Sequence, residues 1–331
     1  MRRAVLFLGL ASGCTGEGVG FSLLSALPGE VEGVALEGQR ARVGMAGQVC
    51  DVDVLSGEVV RDTQPTSAIE HVLATLDGRV LGTVPDGLFL QDADQVALWP
   101  WPALDGALAP EGPVALLEAP SGACIVAFGA DARELHELDC TGRPGFGYDP
   151  DARAAWIADG TTLARIGRDG AASAWDAPVD TVVATGSGAV VGARGTSRLD
   201  AVSADGERLW SGFLRGQTLE QLAPFAGGVV AMAGDDRGGA LAVFGPDGER
   251  RGTHPLPGTG TVAVDDAGTT LAITTPDATL FYRVEGDGIW DVQDGLHAPG
   301  GPSAGGVALG VATGLTVSGV ALAAATVLVS E

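Results

Sequence analysis

The residues best able to do chemistry in this sequence are its cysteines. Cys124 and Cys140 flank a predicted turn at residues 129–134, and position 132, midway between them, falls inside that turn. Thiols that face each other across a regular hairpin lie within reach of a disulfide bond. We therefore predict a Cys124–Cys140 disulfide, with two separately buried thiols as the alternative. Cys50 lies in an alternating run of Val and Asp and is expected in a buried strand.

The other residue types that commonly carry catalysis or bind metals show no such arrangement. The histidines are scattered, without a pair at metal-ligand spacing: His71, His136, His254 and His297. Acidic pairs hint at calcium, but none continues into a full oxygen-ligand loop, and they are interpreted as solvated loop acids: Asp51 and Asp53, Asp92 and Asp94, Asp235 and Asp236, Asp265 and Asp266. We therefore predict no catalytic residues, no metal site and no cofactor.

Cys14 follows a segment that is typical of exported proteins. Arg2 and Arg3 precede a short apolar run at residues 4–10, and small residues stand directly before the cysteine. The run is too short to span a bilayer, which takes about 20 apolar residues. The segment resembles the lipobox of bacterial lipoproteins, although Ala11 occupies a position where that family usually has Leu. An ordinary signal peptide or an uncleaved anchor is the alternative.

The lipobox resemblance implies that Cys14 becomes the acylated first residue of a mature protein in a bacterial cell envelope. One acyl chain gives only marginal membrane binding, so the several chains of a mature lipoprotein are needed for a stable anchor. Thr15 stands where Asp would indicate inner-membrane retention, which favours the outer membrane. A disulfide between Cys124 and Cys140 would persist in such an oxidising compartment.

A second hydrophobic segment, residues 304–331, follows a Gly- and Pro-rich linker at residues 294–303. Its residues 304–330 carry no charge and are long enough to cross a bilayer. On a helix, small residues at every fourth position would form a smooth face that lets membrane helices pack closely: Gly306, Gly310, Gly314 and Ser318. We predict a transmembrane helix that packs on another copy or on a partner, with a final strand pair as the alternative.

The composition of the chain narrows the classes of partner. The chain has 19 basic and 42 acidic residues, which gives a formal net charge of -23. A surface this acidic repels phosphate backbones, so nucleic acid is not expected as a partner. The 52 glycines, many of them in Asp-Gly and Ser-Gly pairs, indicate many short strands joined by tight turns.

The elements that must position these residues follow an internal repeat. Turn-forming residues recur at intervals of about 40 residues, each followed by an apolar strand-like run. The markers are Gly38, Gly78, Gly122, Asp151, Gly188, Gly228 and Gly268. Several units also have an Asp-Gly turn followed by a strand with Trp: Asp169-Gly170 with Trp175, Asp205-Gly206 with Trp210, and Asp287-Gly288 with Trp290. Seven markers predict seven units, with six or eight as alternatives.

This pattern resembles the PQQ-like and WD40-like β-propeller repeats, most closely at residues 201–210. One blade cannot bury both of its faces until neighbouring blades cover them, so such units assemble side by side. We therefore predict an all-β propeller of seven blades at residues 31–293, after a signal peptide at residues 1–13 and a linker at residues 14–30. Two β-sandwiches are the structural alternative.

The predicted function is a lipid-anchored envelope platform that binds other envelope proteins without catalysis, an inference by analogy from fold to role. One alternative is an envelope hydrolase or lyase with a site at the mouth of the propeller channel. Acids, His and Arg converging from several blades on an enclosed pocket would favour it. A further alternative is a membrane homo-oligomer built through the glycine-faced C-terminal helix.

Overall fold

The computed structural model describes residues 17–63, 69–85, 87–92, 95–119, 121–129, 134–138, 140, 142–225, 228–235, 238–256, 259–265 and 268–289. The described part of the chain forms seven antiparallel sheets of four strands each. In chain order the strands are β1 (Glu17–Pro28), β2 (Val34–Glu37), β3 (Arg40–Met45), β4 (Gln48–Asp53), β5 (Val59–Thr63), β6 (His71–Leu76), β7 (Arg79–Val84), β8 (Gly87–Asp92), β9 (Gln95–Trp99), β10 (Ala103–Ala109), β11 (Gly112–Glu118), β12 (Cys124–Phe128), β13 (Glu134–Leu138), β14 (Gly145–Asp149), β15 (Ala154–Ala158), β16 (Thr162–Gly167), β17 (Ala172–Asp176), β18 (Thr181–Thr185), β19 (Gly188–Gly192), β20 (Arg198–Ser203), β21 (Arg208–Phe213), β22 (Thr218–Phe225), β23 (Gly228–Asp235), β24 (Gly238–Phe244), β25 (Arg250–Leu256), β26 (Thr261–Val264), β27 (Thr270–Thr274) and β28 (Ala278–Ile289).

The seven sheets are the blades of a β-propeller, as the sequence predicts. Blades 1 to 6 each consist of four consecutive strands: β2–β5, β6–β9, β10–β13, β14–β17, β18–β21 and β22–β25. Within a blade every strand pairs with the next one along the chain. The first strand of each blade contacts the first strand of the following blade, and β26 contacts β2, so the ring is closed.

Blade 7 combines strands from two distant parts of the chain. Its first three strands are β26, β27 and β28, and its outermost strand is β1. Side chains of β1 enter the core on two sides: Phe21 packs with residues of blades 6 and 7, while Leu24 and Leu27 pack with residues of blade 1. The strand nearest the N-terminus therefore closes the ring.

The up-and-down order of the strands gives the ring two distinct faces. The turns from first to second strand and from third to outer strand lie on one side, which we call the hairpin face. The turns from second to third strand and the connections between blades lie on the other, the crossover face. An ion pair of 2.9 Å between Arg168, in the third turn of blade 4, and Glu111, in the first turn of blade 3, joins adjacent blades on the hairpin face.

The core lies between neighbouring blades and is richest along the second strands. Residues of β15, β19 and β23 are buried over nearly their whole length, because both faces of an inner strand are covered by adjacent blades. Outer strands are partly solvated, and most of the large apolar side chains left exposed lie on them, including Val60, Leu98 and Phe213. This difference explains why the sequence shows one apolar run per repeat.

Six of the seven sequence markers occupy the same structural position, at the first turn of a blade or beside it. Gly122 is the exception, because it lies in the turn between β11 and β12, one hairpin further along blade 3. The first turn of that blade is at residues 110–111, directly before Gly112. The apolar run after Gly122 is therefore the third strand, which accounts for the uneven spacing of the predicted repeat around blade 3.

Two of the predicted Asp-Gly and Trp hairpins form, and their tryptophans link adjacent blades. Trp175, on the outer strand of blade 4, covers Gly206 in the turn of blade 5, and a Cβ atom on that glycine would overlap the indole. Trp210 of blade 5 covers Gly248 of blade 6 in the same way and donates a hydrogen bond of 2.9 Å to the Pro246 carbonyl oxygen. Glycine is required in these turns for its positive φ and for the missing side chain.

The third predicted hairpin is wrong, and so is one predicted boundary. Asp287-Gly288 lies inside β28, because the outer strand of blade 7 comes from the N-terminus and no turn has to follow the third strand. For the same reason residues 14–30 are not a linker throughout, since β1 begins at Glu17. Trp290 lies outside the described residues.

Both predicted membrane segments also lie outside the described residues: the signal with Cys14, and the C-terminal segment with Gly306, Gly310, Gly314 and Ser318. None of the described elements is a helix of the length and apolar character needed to cross a bilayer.

Candidate functional site

A groove of about 550 Å³ opens on the crossover face at the junction of blades 2 and 3. One wall is the connection from β9 to β10, which includes Pro100, Trp101 and Pro102. The other wall is the turn between β11 and β12. We call this site the Trp101 groove.

Backbone contacts hold both walls of the Trp101 groove in place. Proline fixes its own φ angle, so the Pro-Trp-Pro connection has little freedom of its own. The amide of Trp101 donates to the Trp99 carbonyl oxygen at 2.8 Å, and the amide of Glu118 donates to the Pro102 carbonyl oxygen at 2.9 Å. Gly87 allows the connection to pack directly on β8, because a Cβ atom there would overlap the Trp99 carbonyl oxygen. The groove is therefore preformed.

The second wall is a short turn that is closed by its own hydrogen bonds. The amide of Ala119 donates to the Ala123 carbonyl oxygen at 2.8 Å, and the amide of Gly122 donates to the Ala119 carbonyl oxygen at 2.9 Å. Gly122 has a φ angle of 81°, which glycine adopts without strain. This turn places Ser121 at the exposed rim of the groove.

The lining of the Trp101 groove is mostly apolar. Leu117 is buried, while Ile125 and the indole of Trp101 are half-buried and therefore still partly open to a ligand. Among the described lining residues, Glu118 has the single charged side chain, and it is exposed at the rim. An aromatic, preformed cleft of this size with few polar groups is typical of sites that bind a ligand by contact.

A disulfide between Cys124 and Cys140 lies directly beside this groove. Its Cα atoms are 5.3 Å apart, and it ties the start of β12 to the connection that leads from blade 3 to blade 4. The predicted register is wrong, however, because Cys124 faces Leu138 and the hairpin is centred at position 131. The bond is thus diagonal, with Cys140 two residues beyond the strand pair. Cys50 is buried on β4, as expected for a strand residue.

Asp105, which has a partly buried carboxyl group, is close in sequence to the groove residue Pro102. Asp105 is on β10, the first strand of blade 3, next to an irregularity in its pairing with β11. Burial raises the pKa of Asp105 to about 6, against opposing contributions from the Gly106 amide and the charge of Arg143. The Gly106 amide donates to its carboxylate at 2.7 Å. Asp105 is not among the described residues that line the groove.

The described histidines lie in separate blades and make structural contacts. His71 is exposed, and its Nδ1 is 3.1 Å from the Glu32 carbonyl oxygen. His136 packs edge-on against Phe128 at a ring separation of 5.7 Å. His254 contacts the ring of Tyr282 at 5.3 Å, and burial lowers the pKa of His254 to about 4. His297 lies outside the described residues.

The interpretation of the acidic pairs as solvated loop acids is wrong for Asp51 and Asp265, which are both buried. Asp51 is buried on β4 and forms an ion pair with Arg42 across the strand pair. Asp53 accepts hydrogen bonds from the amide and hydroxyl of Ser56, and these hold the pKa of its carboxyl below the usual value. Asp265 is buried and accepts the amide of Thr269 at 2.7 Å. No group of three His, Cys, Asp or Glu side chains suited to a metal ion occurs in the described ranges.

These positions bear on the alternative of a hydrolase or lyase. That alternative needs acids, His and Arg from several blades to meet in one pocket. The polar side chains among the described lining residues of the groove are those of Glu118 and Ser121, and both lie on blade 3. The described residues that line the groove therefore do not bring acids, His and Arg of several blades together.

Comparison with solved structures supports the fold. The chain is similar to the β-propeller domain of Cps50 (Swd1) from Myceliophteria thermophila, with a TM-score of 0.59, 14% identity, and coverage of 79% of this chain and 99% of that one. It is similar to BamB from Moraxella catarrhalis, with a TM-score of 0.53, 11% identity, and coverage of 80% and 99%. It is also similar to the computationally designed protein Ika8, with a TM-score of 0.54, 17% identity, and coverage of 80% and 100%. At these identities the likeness shows the propeller fold.

The other two comparisons gave no match. No protein-family model matches the chain, and no curated protein matches it.

Sequence reasoning missed the Trp101 groove. The available signal was a tryptophan between two prolines, Pro100-Trp101-Pro102, at the place where the repeat is least regular. Such a segment cannot continue a central strand, because proline lacks the amide donor, and it leaves an aromatic ring on a rigid connection.

Proposed function

We propose that this protein is a non-catalytic binding platform of a bacterial cell envelope, and that the Trp101 groove is its docking site for a partner protein. The observation that carries the proposal is the groove itself: a preformed cleft of about 550 Å³ with a half-buried indole and an apolar floor. Partly exposed tryptophan on a rigid support is the residue type that most often dominates binding energy at interfaces.

The proposed ligand is an extended apolar peptide segment with one basic residue. The groove is lined by a Pro-Trp-Pro wall, and aromatic-lined grooves are a common type of site for extended peptide segments. Glu118 at the rim would face the basic residue, while the net charge of -23 would speed the approach of a basic partner.

The proposed location rests on the lipobox resemblance at Cys14. An acylated Cys14 would lie only three residues before Glu17, where β1 begins. The disulfide beside the groove is consistent with this location, because such bonds persist in oxidising compartments. We propose the outer membrane as the location and other envelope proteins as the partners.

The experiment is site-specific photocrosslinking in intact cells, with a photoreactive amino acid in place of Ser121. Ser197 is the matched control, since it is also an exposed serine in the second turn of a blade on the crossover face. We expect a crosslinked partner peptide at position 121, absent at position 197, that disappears when Trp101→Ala is added. Equal crosslinking at both positions, or crosslinking that survives Trp101→Ala, would contradict the proposal.

A further inference from the structure

The two strands that close the ring are longer than the blade to which they belong. The pairing of β27 with β28 ends at Thr270 and Arg283, and the last contact is the Val284 amide with the Thr269 carbonyl oxygen. Beyond this point residues 285–289 pair with residues 17–20 of β1 alone, from Gly20 opposite Glu285 to Glu17 opposite Ile289. These two short ranges form a two-stranded arm of about 17 Å, at about 3.4 Å per residue.

The arm leaves the ring at a defined place. In blades 1 to 6 the third strand ends at the hairpin face, where a turn leads into the outer strand. In blade 7 the third strand β28 continues past that face, and β1 runs back alongside it. The arm therefore projects from the hairpin face, whereas the Trp101 groove opens on the crossover face of blades 2 and 3.

Both candidate membrane attachments join the chain at the tip of this arm. Cys14 is three residues before Glu17, and three residues reach at most about 10 Å. The charge-free segment at residues 304–330 starts fifteen residues after Ile289, a reach of at most about 50 Å. Since Glu17 and Ile289 are paired, the two chain segments that lead to the attachments leave the described fold at one point.

We infer that the arm is a membrane stalk, from whose tip the Cys14 lipid and the segment at residues 304–330 enter the same bilayer. This inference rests on the proposed lipid anchor and on the predicted membrane segment, and not on the proposed role of the groove. The hairpin face of blade 7 then lies next to the membrane, and the crossover face is turned away from it. The groove is presented to partners at the side of the ring furthest from the lipid.

Two physical arguments support the stalk. A two-stranded ribbon outside a sheet is marginally stable in water. Attachment of both strands to one bilayer beyond the tip would keep them close together and so favour the paired state. The acidic ring is repelled by anionic headgroups, which favours contact through a narrow arm over contact through a whole face.

The orientation can be measured with the full-length acylated protein in phosphatidylcholine vesicles that contain a headgroup-labelled quencher lipid. A fluorophore is placed on Asp287→Cys, in the arm, or on Ser121→Cys, at the groove rim. Cys50 is buried and the other described cysteines form the disulfide, so labelling is selective. We expect quenching at position 287 to be at least fivefold greater than at position 121. Equal quenching, or stronger quenching at position 121, would overturn the stalk.

Vesicle clustering tests whether both attachments enter one bilayer. Light scattering of vesicles that carry the full-length protein should match that of vesicles with a variant lacking residues 290–331. Clustering that depends on those residues would show attachment to two bilayers and would contradict the inference. Complete release of a Cys14→Ala protein that retains residues 290–331 would contradict it as well. Neither result bears on whether the groove binds a peptide, so failure of the stalk and failure of the proposed function can be told apart.

Discussion

All blades are four-stranded sheets, but the contacts between blades 4, 5 and 6 differ from those at the junction of blades 2 and 3. From blade 4 to 5 and from blade 5 to 6, an outer-strand tryptophan covers a glycine turn of the next blade, as Trp175 does with Gly206. At the junction of blades 2 and 3 the Pro-Trp-Pro connection leaves Trp101 half-buried over a groove. The same residue type thus completes the ring in one region and remains open to a ligand in the other.

In this repeat protein, contacts that recur between blades and departures from the repeat have different roles. Contacts that recur between blades stabilise the ring, because each blade depends on its neighbours to bury its faces. A departure from the repeat that gains no burial for the blade itself is a candidate functional feature. The disulfide beside the groove fits this view, since it ties down the region that lacks the regular contacts.

The largest expected effect separates the tryptophans of the two regions. Trp156 is fully buried and stacks on Trp175 at a ring separation of 5.8 Å, so Trp156→Ala should cost about 3 to 5 kcal/mol of unfolding free energy. Trp101→Ala should cost less than about 1 kcal/mol, because its ring is only half-buried. Urea denaturation measures both. A Trp101→Ala cost near that of Trp156→Ala would mean that Trp101 is a core residue.

The disulfide should contribute the next largest effect. It closes a sequence separation of 16 residues, for which chain entropy gives about 3 kcal/mol. The double variant Cys124→Ser, Cys140→Ser should be less stable by this amount, and a reductant should destabilise the parent protein equally while leaving the variant unchanged. A parent protein whose stability is insensitive to reductant would show that the bond does not form.

A matched pair of glycines tests the contacts of the regular region. Gly206 and Gly195 have similar φ angles of 81° and 76°, but a Cβ atom overlaps Trp175 at Gly206 and meets nothing within 4 Å at Gly195. Gly195→Ala should cost about 1 kcal/mol for the backbone alone. Gly206→Ala should cost about 1 to 3 kcal/mol more, because the indole has to move. Equal costs in thermal unfolding would show that Trp175 does not constrain position 206.

The smallest expected effect is a difference in the pH dependence of stability. Burial lowers the pKa of His254 to about 4. The buried neutral imidazole therefore costs no stability above pH 6.5, and the free energy of unfolding falls as the pH falls from 6.5 to 4. Burial raises the pKa of Asp105 to about 6. Its carboxyl group therefore does not lower the free energy of unfolding below pH 3.8, and lowers it increasingly as the pH rises to 6. On acidification from pH 7 to 4, His254→Phe should reduce the stability lost and Asp105→Asn should increase it. Parallel unfolding curves for the two variants across this range would contradict these pKa directions.

The sequence predicts the regular region well, because its signals are local. Asp-Gly turns and the buried second strands follow from turn chemistry and burial, as at Asp205-Gly206. Asp287-Gly288 has the same local signal and lies in a strand, since pairing with the distant β1 decides its structure. No signal within blade 7 indicates that its outer strand comes from the N-terminus.

The groove was harder to predict, for a related physical reason. One wall is the connection between blades 2 and 3 and the other is a turn of blade 3, and Gly87 leaves room for the connection beside β8. The predicted pairing of Cys124 with Cys140 matches the disulfide in the structure, but the predicted register is wrong, because the hairpin is not centred midway between the two cysteines. Sequence spacing constrains which residues come close more tightly than it constrains which atoms face each other.

Whether the Trp101 groove docks a partner can be tested by the binding of two apolar peptides that differ only in a central Arg or Glu. The parent protein should bind the Arg peptide about threefold more tightly, as expected for one exposed charge pair. Glu118→Arg should reverse that preference, and Trp101→Ala should weaken both peptides at least tenfold. An unchanged preference in Glu118→Arg, together with full binding by Trp101→Ala, would show that the Trp101 groove is not the docking site.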